Sequence, residues 1–185
     1  NQIVTTTSGN SVTVAAPTNV AGTFTYNLVS VSDGTATACN QAQTGSTTIT
    51  VNELPTAAVS GTIEVCRNAP APLITFTGAG TTPPYTFTYN INGGASQTVT
   101  TTSGNSVTVS VPTGTPGTYV YNLLNVSDGT AQACAQAQTG SATVIVDPLP
   151  TASIAGSTSV CRNAPSPDVT FTGATGIAPY TFTYN

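Results

Sequence analysis

The chain repeats itself with a period of 95 residues. Residues 1–90 align with residues 96–185 without a gap, and about two-thirds of the aligned positions are identical. Solenoid repeats have periods of about 20–50 residues, whereas an independent domain contains about 50–250 residues. The period therefore predicts a tandem array of domains, each folded around its own core.

Two similar proline-containing segments mark the predicted domain junctions. Leu54-Pro55-Thr56 in one copy returns as Leu149-Pro150-Thr151 in the next. Proline stiffens the chain and cannot donate to a strand ladder, so each segment predicts a short, semi-rigid linker. On this frame the chain contains the C-terminal part of one repeat (1–54), a complete repeat (55–149) and the N-terminal part of the next (150–185). We expect a piece of a longer protein, with edge strands that pair with flanking repeats or neighbouring copies.

The apolar residues of the repeat alternate with threonine and serine. Tyr85, Phe87 and Tyr89 alternate with Thr86 and Thr88, which is the pattern of a strand with one face in a core. Gly- and Asn-containing turn signals separate such runs every 8–12 residues or so. We predict an all-β fold of tandem Ig-like antiparallel β-sandwich domains with about seven strands each. The predicted core contains Ile74, Phe76, Tyr85, Phe87, Tyr89, Val107, Val109, Tyr119 and Tyr121.

An alternative function for these aromatic residues is a carbohydrate-stacking platform. Their alternation with threonine favours the core, because a platform would expose them on one face.

Charged residues are rare enough to exclude several classes of protein. The 185 residues include two arginines, six acids, no lysine and no histidine, for a net charge of −4. Nucleic-acid binding needs a basic surface, and histidine is the commonest general base and metal ligand. We therefore expect no enzyme, no catalytic residue, no cofactor and no nucleic-acid partner. A membrane span needs roughly 20 consecutive apolar residues, and no run approaches that length.

The cysteines occur at regular positions in the repeat. Cys66 and Cys134 lie in the complete domain, and Cys39 and Cys161 are their counterparts in the partial ones. Regular pairs without histidine or a CxxC motif favour disulfides and an oxidising compartment. We predict a Cys66–Cys134 bond closing a loop of 68 residues, which contributes roughly 4 kcal/mol in the chain-entropy model. Cys39 and Cys161 would have partners outside the complete domain. Four buried free thiols are the alternative.

The acidic residues offer one candidate metal site. Asp33 and Asp128 occupy the same repeat position, each before a glycine, and are predicted to be turn residues. No Asp-rich calcium loop is present, so we expect no metal; the alternative is a calcium ion held at a domain junction by Glu53 or Asp147.

Both arginines directly follow a cysteine. Arg67 and Arg162 could bind a carboxylate or sulfate ligand, or they could hydrogen-bond locally to carbonyl groups. We favour the local interpretation.

Three motifs carry a resemblance to a known family. Val-Cys-Arg-Asn-Ala-Pro at 160–165, the run Pro-Tyr-Thr-Phe-Thr-Tyr-Asn at 179–185, and Thr-Thr-Thr-Ser-Gly-Asn-Ser-Val-Thr-Val at 100–109 resemble the tandem repeats of giant Bacteroidetes cell-surface adhesins, of the SprB gliding-motility type. The resemblance implies an extracellular Ig-like or PKD-like repeat, exported by the type IX system. It also implies attachment to the outer membrane through regions that are not in this fragment.

Two functions from different classes follow. The first is a structural repeat of a long extracellular filament or adhesin stalk serving adhesion and gliding, with adjacent repeats or neighbouring copies as its partners. The second is a module that binds surface polysaccharide or substratum weakly and gains affinity by multivalency.

Overall fold

A computed structural model describes all 185 residues, which form two compact units, Asn1–Leu54 and Pro55–Asn185. The protein is all-β, as predicted, and contains no helix; it therefore has no helix that could cross a membrane. The predicted boundary between residues 149 and 150 lies inside the second unit and stays a prediction.

The first unit contains two small antiparallel sheets. Strand β1 pairs with β4, and β2 pairs with β3. The strand bounds are β1 Gly22–Asn27, β2 Ser30–Ser32, β3 Asn40–Ala42 and β4 Ser46–Val51.

The second unit contains the complete repeat and the third copy. The strands of the complete repeat are β5 Thr56–Ser60, β6 Ile63–Cys66, β7 Leu73–Ala79, β8 Thr86–Ile91, β9 Gln97–Thr100, β10 Ser106–Ser110, β11 Gly117–Ser127, β12 Ala135–Ala137 and β13 Ser141–Asp147. The third copy contributes β14 Thr151–Ala155 and β15 Thr170–Ala174, which pair antiparallel in the register of β5 and β7.

The complete repeat is an Ig-like sandwich. One sheet has the strand order β10-β7-β5, and the other has the order β6-β13-β11-β8-β9 with β12 on β11. The first strand is divided between the sheets, as β5 and β6, and Gly61 makes the crossing. Its φ of +115° suits glycine, and a side chain there would meet the carbonyl of Leu73. This division and the short β12 explain why nine strands form rather than about seven, and β6 makes the one parallel pair, with β13.

The core lies between these two sheets and contains the predicted residues. Six of the nine are buried: Ile74, Phe76, Tyr85, Phe87, Tyr89 and Tyr121. The other three, Val107, Val109 and Tyr119, are partly buried and pack against them. The core also includes Val111, Leu123, Val126, Ala142, Val144 and Val146, which sequence reasoning did not name. The predicted core position of the aromatic set is confirmed.

The chain enters the complete domain at one end of the sandwich and leaves at the other. We call the end that carries Thr56, Ala79 and Tyr85 the N-terminal pole, and the end that carries Leu73 and Asp147 the C-terminal pole. Strand β11 runs from one pole to the other, and its 11 residues span roughly 33 Å at about 3.3 Å per residue.

Candidate functional site at the two poles of the complete domain

The N-terminal pole is organised by a turn around Asp128. Its Oδ1 accepts hydrogen bonds from the backbone N–H of Thr130 at 3.2 Å and from the Thr130 hydroxyl at 2.7 Å. The Asp128 N–H donates to the carbonyl of Cys134 at 3.0 Å. The counterpart residue Asp33 makes the same two contacts with Thr35 at the same distances. The predicted role of both aspartates as turn residues is confirmed.

The Asp128 carboxyl titrates below its ordinary range. Burial acts to raise its pKa, but hydrogen bonds from the side chain and backbone of Thr130, with smaller contributions from Thr81 and Cys134, outweigh burial and lower the pKa. The residue is 6% exposed. The hydrogen bonds of the folded loop therefore favour the charged form of Asp128, and the charged form in turn stabilises the loop.

This loop rests on a second segment of the same pole. Gly129 packs directly on Pro84, and its N–H donates to the carbonyl of Thr82 at 3.0 Å. The next residue, Tyr85, is fully buried, donates its hydroxyl to the carbonyl of Thr81 and packs its ring on Gly78. The start of the loop, at Gly129, thus lies against residues 82–84.

The C-terminal pole is held by backbone bonds around Arg67. The Arg67 N–H donates to the carbonyl of Asp147 at 2.8 Å, and its Nε donates to the carbonyl of Gly114 at 2.9 Å. The Thr113 hydroxyl donates to the carbonyl of Ala69 at 2.7 Å, which fixes the same turn. The local interpretation of Arg67 is confirmed, and that of Arg162 stays a prediction.

Two carboxyl groups meet beside this turn. A hydrogen bond between Glu64 and Asp147, together with the negative charge of Asp147, raises the pKa of Glu64. In the parallel pair of β6 and β13, Glu64 lies opposite Ile145 and Asp147 lies opposite Cys66, so the two acids are diagonal neighbours two positions apart along the pair. No group of three or more His, Cys, Asp or Glu side chains that could hold a metal ion occurs in the structure. Sequence reasoning named Glu53 or Asp147 as the alternative calcium ligand at a junction and set Glu64 aside, because the next copy carries Ser159 at that position.

An open cleft of about 540 Å³ lies beside the carboxyl pair. One wall comes from the C-terminal pole and the linker, and the opposite wall comes from the third copy. The lining residues are Glu64, Asp147, Pro148, Pro150, Thr151, Ala152, Thr175, Gly176, Ile177, Pro179, Tyr180, Thr181 and Phe182. The residues of the third copy are counterparts of those that build the N-terminal pole, so the cleft places one C-terminal pole against the next N-terminal pole.

The predicted Cys66–Cys134 disulfide is wrong for this fold. Cys66 ends β6 opposite Asp147, at the C-terminal pole, whereas Cys134 directly precedes β12 at the N-terminal pole. The two cysteines are therefore separated by roughly the 33 Å length of β11, and a disulfide needs Cα atoms within about 7 Å. All four cysteines are free thiols; Cys134 is half-buried and the other three are exposed, so the alternative of buried thiols is wrong as well. The predicted partners of Cys39 and Cys161 stay a prediction.

Distant structural likenesses to known proteins include an adhesin and a CARDB domain. The first is an adhesin from an Antarctic bacterium, described as a Ca2+-stabilized adhesin that helps the bacterium reach out and bind ice. It is 22% identical with a TM-score of 0.39, and the match covers 72% of this chain and 34% of the adhesin. The second is a CARDB domain from Pyrococcus furiosus in complex with di-metal ions, 18% identical with a TM-score of 0.30, over 52% of this chain and 97% of that one. The chain thus spans about a third of the adhesin that it matches. No protein-family model and no curated protein matches the chain.

Proposed function

We propose that this chain is part of a structural, non-catalytic repeat array that forms a long extracellular filament or adhesin stalk, serving cell-surface adhesion and gliding motility. One observation carries the structural role: the chain enters the complete domain at one pole and leaves at the other. Each further period then moves the chain onward by about the length of a sandwich, roughly 33 Å.

The chemistry of the surface supports the same role. The large aromatic side chains of the complete domain lie in its core, and Arg67 is engaged with carbonyl groups. The concave feature beside the carboxyl pair lies at a junction between copies, where it serves the connection between domains.

The cell-surface location, the type IX export route and the part in gliding rest on the sequence resemblance to Bacteroidetes adhesin repeats. Adjacent repeats, or neighbouring copies, are the proposed partners. Weak multivalent binding of glycan or substratum is the alternative function.

Filament length tests the proposal. An antibody against residues 55–149 should label filaments on intact cells that produce the full-length protein. Deletion of successive 95-residue periods should shorten the filaments by a constant step of about 33 Å or more per period. Labelling that appears only after permeabilisation would rule out a surface filament. Binding of the purified chain to a glycan array, with filament length unchanged by the deletions, would favour the alternative.

A further inference from the structure

The two cysteines of the complete domain occupy opposite poles, and both are accessible to some degree. Cys66 is exposed at the C-terminal pole, beside the last residue of β13, and Cys134 is half-buried in the loop of the N-terminal pole. In an array, the C-terminal pole of one repeat precedes the N-terminal pole of the next. Each junction therefore carries two cysteines, one from each repeat.

The cleft shows that these poles face one another across the linker. Glu64, two residues before Cys66 on β6, and Asp147, opposite Cys66, form one wall. Ile177 and Pro179 of the third copy belong to the other wall.

Ile177 and Pro179 locate the second cysteine of the junction. They are the counterparts of Thr82 and Pro84, on which the loop containing Cys134 rests in the complete domain. The third copy repeats the surrounding contacts, because Tyr180 packs on Gly173 as Tyr85 packs on Gly78. The loop that carries the cysteine one period on from Cys134 therefore belongs beside Ile177 and Pro179, which line the same cleft as Glu64 and Asp147.

We propose that Cys66 forms a disulfide with the cysteine one period on from Cys134, so that covalent bonds join consecutive repeats rather than closing a loop within each one. The proposal deepens the proposed function, since it rests on an oxidising extracellular setting. It also explains why the two cysteines of one sandwich lie far apart, because each pairs with a cysteine of an adjacent repeat.

The bond forms by exchange with a small-molecule disulfide such as oxidised glutathione. One cysteine thiolate attacks it, forming a mixed disulfide and releasing one small thiol. The second cysteine thiolate then displaces the other small thiol and closes the protein disulfide. Two electrons and two protons pass from the two cysteines to the reagent, which leaves as two thiols.

A chain lengthened by one period tests the pairing. Appending a copy of residues 91–185 after Asn185 keeps the repeat in register and brings the number of cysteines to six, because that segment holds two. After equilibration with reduced and oxidised glutathione, the free thiols should fall from six to four, and peptide mapping should place the bond between Cys66 and the added copy of Cys134. The original chain, treated in the same way, should keep its four thiols.

Two matched variants identify the bond. Cys66→Ser in the lengthened chain should abolish it and leave five free thiols. Cys161→Ser, at the same repeat position one period later, should preserve it and leave three free thiols.

A bond between Cys66 and Cys134 of the original domain, a bond between Cys66 and Cys161, or six free thiols after equilibration would each overturn the proposal. These measurements use purified protein, so their failure is distinct from failure of the filament imaging that tests the proposed function.

Discussion

Two regions of the second unit have nearly the same sequence but differ in burial. Ile74 of the complete domain is fully buried, whereas its counterpart Val169 in the third copy is 55% exposed. Tyr89 is 5% exposed and its counterpart Tyr184 is 76% exposed. The ring contacts nevertheless recur, since Phe76 and Phe87 lie 5.7 Å apart between centroids, as do their counterparts.

The difference in burial distinguishes contacts that form locally from contacts that need distant strands. Residues close in sequence make the same aromatic contacts in both regions, but burial in the complete domain comes from β10, β11 and β13. These strands lie some 30 to 70 residues further along, and residues 150–185 hold no counterpart of them. Residues 150–185 therefore keep the local ring contacts without burying the core residues Val169 and Tyr184.

Truncation of a matched phenylalanine should give the largest contrast between the two regions. Phe76→Ala should lower the free energy of unfolding of the complete domain by about 3–5 kcal/mol, because it leaves a cavity between the sheets. Phe171→Ala, its counterpart in the third copy, should change that free energy by less than about 0.5 kcal/mol. Denaturant dependence of hydrogen exchange within residues 55–149 measures both; equal losses would show that the third copy shares the core.

A side chain added at Gly78, where the Tyr85 ring packs, should lower the stability of the complete domain by an intermediate amount. A methyl group added at Gly78 would lie about 2.5 Å from the Tyr85 ring, so Gly78→Ala should destabilise the complete domain by about 1–3 kcal/mol. Gly114→Ala is the matched control, because nothing lies within 4 Å of that position, and it should change stability by no more than about 0.5 kcal/mol. Thermal unfolding followed by circular dichroism compares the two, and a tolerated Gly78→Ala would mean that the ring moves freely.

The sequence pattern predicted the core residues but not the arrangement of the two poles. Period-2 alternation correctly predicted that Phe76 and Phe87 lie in the core, because alternation with threonine gives a strand one apolar face, which is the face that is buried. It did not reveal which pole each cysteine occupies, since that depends on the direction and register of β6 against β13. Nor did the repeat pattern reveal Glu64, since the next copy has serine at that position. The poles that the cysteines occupy and the position of Glu64 near Asp147 both depend on pairing between strands that are distant in sequence, and local sequence preference does not encode this pairing.

Acid should destabilise the complete domain by protonating Asp128. Protonation of Asp33, which lies in the first unit, should not affect the stability of the complete domain. The lowered pKa of Asp128 means that its contribution to stability is present above the unfolded pKa, near 3.9, and is lost as the pH falls through the lower folded value. Asp128→Asn should reduce stability at neutral pH by about 1–2 kcal/mol and flatten this acid dependence. Asp33→Asn, on the exposed turn of the first unit, should leave the unfolding of residues 55–149 unchanged. Urea midpoints across pH 2–7 would measure both, and matching profiles for the wild-type chain and Asp128→Asn would contradict this role.

The smallest effect should come from the carboxyl pair. The raised pKa of Glu64 means that its contribution to stability is present below the unfolded pKa and is lost as the pH rises through the higher folded value, where Asp147 repels the charged form. Glu64→Ser, which copies the third repeat, should therefore raise stability slightly at neutral pH and not at pH 3. Loss of stability at neutral pH would show instead that the pair binds a counter-ion or stabilises the junction.

The parallel pairing of β6 and β13 has a mechanical consequence. When the ends of the complete domain are pulled apart, tension reaches β6 from the N-terminal pole and β13 from the C-terminal pole, so the two strands are drawn in opposite directions along their common axis. Four residue pairs, from Ile63 opposite Val144 to Cys66 opposite Asp147, then resist as a group. Hydrogen bonds sheared together rupture at higher force than bonds peeled one after another, so the sandwich resists tension applied between its two ends.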